Sequence, residues 1–187
     1  MNPLHTLATA NWPPGKPPPP LPGFSASDFN PLVAAVADLC LAEHFGEPRP
    51  DGPGAPRRTA LLLASAGGDR ATALAIDTGA TRHRMPPLLF FQSNPNAVLG
   101  HIAARWGLTG PVVAISPADA AAPGEVPPDA LELAALLLAD GDADQVLVIS
   151  AEQPEQAEQP DRPDRPAEQS AGTGTGTGHA TAVLVSV

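Results

Sequence analysis

Gly107-Leu108-Thr109-Gly110-Pro111-Val112-Val113-Ala114-Ile115 is the stretch on which the reading of the fold turns. Two glycines and a proline make a tight turn, and four apolar residues follow it without a polar break, as in a strand covered on both faces. Upstream, the stretch from Phe90 to Trp106 reads as an entry loop and then a short helix. Loop, helix, turn and strand together make one unit of an α/β sheet.

Working outward, the same alternation repeats. Thr59-Ala60-Leu61-Leu62-Leu63-Ala64-Ser65 is a second continuous apolar run, closed by Ala66-Gly67-Gly68-Asp69. Residues 70–78 read as a short helix and 79–87 as a loop. Beyond the central strand, Asp129 caps a helix over 130–139, and Gln145-Val146-Leu147-Val148-Ile149-Ser150 is a third buried strand. Nearer the start, residues 25–45 form a helix with Phe29, Leu32, Val33, Val36, Leu39 and Cys40 at helical spacing. Ser25, Ser27 or Asp28 caps it, and Gly46 and Pro48 stop it. Leu4, Thr6 and Ala8 alternate weakly as a first strand, and Ala180-Thr181-Ala182-Val183-Leu184-Val185 is a last one. The expectation is an α/β fold with a five-stranded, mostly parallel sheet and flanking helices in one domain over residues 1–187.

Two segments stand outside this pattern. Residues 13–24 carry a polyproline run that adopts an extended form, a linker or surface strap of the kind that can dock onto aromatic grooves. Residues 151–178 repeat Glu-Gln-Pro and Asp-Arg-Pro units and then alternate Gly with Thr. Neither half can offset an ordering entropy of roughly 1–2 kcal/mol per residue, so a disordered acidic and Gly/Thr loop is expected.

Composition excludes several functions. The formal charge is −10, with Lys16 the only lysine, which argues against nucleic acid and against an acidic membrane surface. No apolar run reaches the length of a membrane span, and the start lacks the order of a signal peptide, so a cytoplasmic location is expected. Cys40 is the only cysteine, which removes disulfides and CxxC metal sites. Its place on the packed helix stripe makes it core. The paired glycines Gly67 and Gly68 lack a GxGxxG or GKS context, so no nucleotide cradle is read there. No metal and no cofactor is expected.

Residues 93–103 and Gly107-Leu108-Thr109-Gly110-Pro111 resemble the β-ketoacyl synthases, condensing enzymes of the thiolase fold. In that family a similar loop and helix lead to a Gly-Leu-x-Gly-Pro turn. Gly141-Asp142-Ala143-Asp144 and residues 146–152 are similar to the family's next turn and strand, which usually ends Gly-Gly-Ala-Glu. The resemblance implies one thiolase-like half, with residues 112–115 as the strand that leads to the nucleophilic cysteine. Nine positions after Gly110, where that cysteine is expected, stands Asp119. A carboxylate cannot form the thioester that Claisen condensation requires. Pro123, Pro127 and Pro128 displace the helix whose N-terminus would lower a thiol's pKa. The histidines and lysine that the family supplies from its C-terminal half have no counterpart here.

The resemblance therefore implies a non-catalytic pseudo-ketosynthase, comparable to chain-length factors, that pairs with an active β-ketoacyl synthase subunit or with itself in polyketide or fatty-acid-type biosynthesis. It implies an edge position for the strand, so Pro111, Val112, Val113, Ala114 and Ile115, with Phe91, Asn94 and Asn96, are the expected partner interface. Two alternatives stand beside it. His101, Ser116, Asp119 and His179 contain the residue types of an acyl-thioester hydrolase or acyltransferase, although Ser116 lacks a GxSxG setting. Arg57, Arg58, Arg82 and Arg84 could give a local basic surface for an acyl carrier protein, against the opposing charge of the whole chain.

Overall fold

The computed structural model describes residues 3–48, 58–81, 87–153 and 178–187. Along these residues run β1 (His5–Trp12), α1 (Phe29–Phe45), β2 (Thr59–Ala64), α2 (Arg70–Thr81), α3 (Pro87–Gln92), α4 (Pro95–Trp106), β3 (Val112–Ile115), α5 (Pro128–Ala139), β4 (Gln145–Glu152) and β5 (His179–Ser186). The strands form one sheet in the order β1-β5-β4-β2-β3.

The α/β class, the five strands and the flanking helices are as the sequence implies. The sheet is mixed, however, because two of its pairings are parallel and two antiparallel. β2 runs parallel to both β3 and β4, while β5 is antiparallel to β4 and to β1. The connections explain the division. Helices bridge β2 to β3 and β3 to β4, and a helical crossover returns the chain parallel. Glu152 instead lies opposite His179, so the chain leaves β4 and re-enters as β5 in hairpin fashion.

Every residue of β2 and β4 is buried, as their unbroken apolar runs require. The two-residue alternation of a strand sorts their side chains between two cores. Leu61, Leu63, Leu147 and Ile149 meet α1 and α4 through Val33, Val36, Leu99 and Ile102. Ala60, Leu62, Val146 and Val148 meet α5 through Ala130, Ala134 and Leu138. β3 is different: Val112 and Ala114 are exposed, Val113 and Ile115 half-buried, and β2 is its only sheet neighbour among the described residues.

Several boundaries differ from the expectation, α2 running on to Thr81 and α5 starting at Pro128 among them. α3 occupies residues placed in loops. β1 extends to Trp12, α1 begins at Phe29, and β4 runs on through Ala151 and Glu152, which the acidic repeats had claimed. Residues 154–177 of that segment lie outside the described residues. At the head of α1 the Asp28 side chain makes no capping bond, and Ser27 Oγ accepts from the Phe29 N–H at 3.3 Å.

The polyproline run of residues 13–24 is tied down at both ends. Trp12 Nε1 donates to the Lys16 carbonyl at 2.8 Å, with the Lys16 ammonium 4.7 Å from the ring centre. At the far end Phe24 is buried, and Gln92 Nε2 donates to the Gly23 carbonyl at 2.7 Å. Both ends of the segment are thus held to the body of the domain.

Cys40 is fully buried in α1, as the helix stripe implies. Burial pushes its thiol from about 9 up to about 11. The neutral thiol is thus favoured in the folded state, and the corresponding stability is complete below pH 9 and lost as the pH rises through about 11. Two pH units correspond to about 3 kcal/mol. The chain has no tyrosine and a single lysine, so little else titrates in that window. Urea unfolding free energy should fall across it by about that amount in the natural chain and stay level in Cys40→Ala. Equal falls in both would contradict the assignment.

Candidate functional site

The parallel strands β3, β2 and β4 end together, and the turns that leave them build the site. A cavity of about 280 Å³ opens there among Asn30, Ser65, Asp69, Ser93, Ile115 and Ser116. Its walls come from four distant parts of the sequence. α1 supplies Asn30, the β2–α2 turn Ser65 and Asp69, the α3–α4 junction Ser93, and the end of β3 Ile115 and Ser116.

Buried polar groups must find partners, and here they hold one another. Glu152, at the end of β4, accepts from the Ala66 N–H at 2.7 Å, the Gly67 N–H at 3.2 Å and Ser65 Oγ at 3.4 Å. The turn thus presents its Ala66 and Gly67 amides to a carboxylate of the chain itself, and its Gly68 amide to Ser65 Oγ at 2.9 Å. Asp69 accepts from the Thr72 N–H at 3.0 Å, Thr72 Oγ1 at 2.7 Å and Asn30 Nδ2 at 3.1 Å. Asn30 Nδ2 also donates to the Gln92 carbonyl at 3.0 Å, and the Gln92 amide oxygen accepts from the Ala26 N–H at 3.1 Å. Gln92 therefore fastens the strap, α1 and α3 together.

Gln92, Asn30 and Asp69 carry this framework without having been singled out in the sequence. A lone glutamine in the apolar run Leu88-Leu89-Phe90-Phe91 was the available signal. Glu152 matched the family's Gly-Gly-Ala-Glu ending, but its partners lie some eighty residues away and local spacing does not reveal them.

Ser93 and Pro95, neighbours of the residues read as interface, line the cavity with Ala114 and Ile115. Asn94 caps α4, its Oδ1 accepting from the Asn96 N–H at 2.9 Å, while Phe91 and Asn96 are exposed. Asp119 lies exposed in the loop after β3. That loop crosses to the far strands, where His179 Nε2 donates to the Ala121 carbonyl at 2.9 Å and the Gly124 N–H donates to Thr181 Oγ1 at 3.1 Å. His101, on α4, faces the Phe24 ring edge-on. Neither histidine lines the cavity with Ser116, so the triad residues are not assembled.

Of the arginines read as a basic surface, Arg58 is described, in an exposed ion pair with Asp144 at 3.5 Å. Arg57, Arg82 and Arg84 lie outside the described residues. No helix among the described residues is long and apolar enough to cross a membrane.

No curated protein matches the chain in sequence. Solved structures match it in fold. The ishigamide ketosynthase/chain length factor aligns with a TM-score of 0.59 at 17% identity, over 89% of this chain and 46% of that one. A β-ketoacyl synthase from Burkholderia phymatum STM815 aligns at 0.54 and 19% identity, over 86% and 42%. A ketosynthase (ApeO) in complex with its chain length factor (ApeC) from Xenorhabdus doucetiae aligns at 0.51 and 17%, over 84% and 56%. The chain spans about half the length of these structures. The model of the β-ketoacyl synthase N-terminal domain matches residues 44–184, which takes in β2 through β5 and the whole cavity rim beyond α1. With most of its sequence so matched, the chain belongs to the β-ketoacyl synthase family and carries that family's N-terminal domain.

Proposed function

We propose that this chain is a non-catalytic ketosynthase-type subunit that pairs with an active β-ketoacyl synthase in polyketide or fatty-acid-type biosynthesis. The observation that carries the reading is the chain after β3. Where the resemblance leads one to expect the family's nucleophile stands Asp119, exposed, and the next helix starts only at Pro128. Ser65 Oγ is engaged by Glu152 and the Gly68 N–H, and among the described residues no histidine, lysine or cysteine lines the cavity. Asp69, the carboxylate among the lining residues, is held by Thr72 and Asn30 and is not bonded to Ser93 or Ser116, which argues against an activated nucleophile there. The matched proteins that contain a chain length factor support pairing as the role that remains.

The pairing surface is the open edge of β3 with Phe91, Asn94 and Asn96 beside it. Edge strands with free N–H and C=O groups invite another strand. The carbonyls of Pro111 and Ile115 bond to β2, so strand alternation turns the Val112 N–H outward. Val112→Pro removes that donor while leaving the β2 ladder intact. Co-expressed with full-length β-ketoacyl synthases, the natural chain should co-elute with one of them, and Val112→Pro should weaken the complex without lowering the melting temperature. A chain that remains a lone, inert monomer beside every synthase would sink the proposal.

A further inference from the structure

The polyproline strap has a second property that pairing through β3 does not use. Lys16-Pro17-Pro18-Pro19-Pro20-Leu21-Pro22 is bracketed by two turns that share a central Pro-Gly pair, Pro13-Pro14-Gly15-Lys16 and Leu21-Pro22-Gly23-Phe24. In each, proline stands second and glycine third with φ of 87°, and the fourth residue's N–H returns to the first residue's carbonyl, at 3.4 Å and 3.0 Å. That is the signature of a type II turn. Between the turns, Lys16, Pro17, Pro18, Pro19 and Leu21 each precede a proline, which confines them to extended backbone, and each proline fixes its own φ. The segment is therefore held in the left-handed polyproline II form, with three residues per turn.

Burial follows that period. Pro18 and Leu21, three apart, are half-buried against the body, and the second turn then drops Phe24 into the core. Lys16, Pro17, Pro19, Pro20 and Pro22 are exposed. One edge of the helix is thus glued down and the other two face outward. A free spacer would show no such period, and a strap that served only to cover the core would not need its outward edges made of proline.

We propose that Lys16–Pro22 is a preorganised ligand for a partner protein that reads polyproline II helices through a groove of parallel aromatic side chains. Proline rings on two adjacent edges are the shape such grooves take up. Because the anchors at Trp12, Phe24 and Gln92 already fix the conformation, binding orders little further chain.

The test titrates the full chain into an isotope-labelled WW domain and, separately, an SH3 domain, followed by amide chemical shifts. Shifts at the groove aromatics of at least one module are expected, and tighter binding than by a free peptide of residues 13–24. The double variant Pro19→Ala, Pro20→Ala should bind about tenfold or more weakly, from the loss of two buried rings, at an unchanged melting temperature. Pro17→Ala, on the same outward side, is a second and milder variant. No response from either module, an unaltered response in the variants, or binding no tighter than the peptide's would overturn the proposal. So would proline-dependent self-association in place of module binding, which would make the occupant a second copy.

Discussion

A chain carrying Gly110→Ala will be less stable than the natural one by about 3 kcal/mol or more, a large share of what a domain of this size has available. A Cβ built at Gly110 lies 2.5 Å from the Thr59 carbonyl carbon, the Thr59 oxygen and the Ala60 nitrogen. These are backbone atoms of a central strand, so no side chain can swing aside. The Gly110 N–H also bonds to the Thr59 carbonyl at 3.2 Å, and the Leu61 N–H to the Pro111 carbonyl at 2.8 Å. Relieving the clash therefore means lifting the turn from β2 and opening the first rung of the β2–β3 ladder. Gly100→Ala is the matched control. Gly100 sits on the exposed side of α4 with nothing within 4 Å of its Cβ position. There the added methyl should stabilise by about 0.5–1 kcal/mol through helix propensity. Urea midpoints of the two variants moving in opposite directions are the expected result. A Gly110→Ala chain as stable as the natural one would show that the turn does not sit on β2.

Glu152→Ala should cost about 1–3 kcal/mol, because it strips two part-buried backbone donors of their acceptor and leaves the space of a buried side chain empty. The carboxylate joins the end of β4 to the turn after β2, so its loss should loosen that turn before it loosens the sheet. Hydrogen exchange is the discriminating measurement. The amides of Ala66 and Gly67 should lose protection, while those of Leu62 and Val148 keep most of theirs at low urea. Glu152→Gln retains one acceptor and should recover part of the loss. If Ala66 and Gly67 exchange equally slowly in all three chains, the carboxylate is not what holds the turn.

How much of this was legible in sequence depended on whether the cause was local. β2 and β4 announced themselves because burial on both faces leaves nothing but apolar residues. Gly107 and Gly110 did so because a left-handed cap and a close approach each exclude other residues. α3 was hidden: Leu88-Leu89-Phe90-Phe91 has no polar face at helical spacing. What holds its end is Gln92, through bonds to Gly23, Ala26 and Asn30 from a distant strap and helix. The direction of β5 was hidden too, since parallel and antiparallel strands look alike when buried. The cavity was the least legible part. The position at which the resemblance expects a nucleophile could be counted from Gly110, but the cavity walls meet only through the sheet order, and no local period encodes that.

The strand registers carry a last consequence. His5 lies opposite Ser186 at one end of the sheet, and Glu152 lies opposite His179 at the other. His5 and Ser186 therefore lie side by side, and the distance between a pair of probes at these two positions reports whether β1 is still zipped to β5.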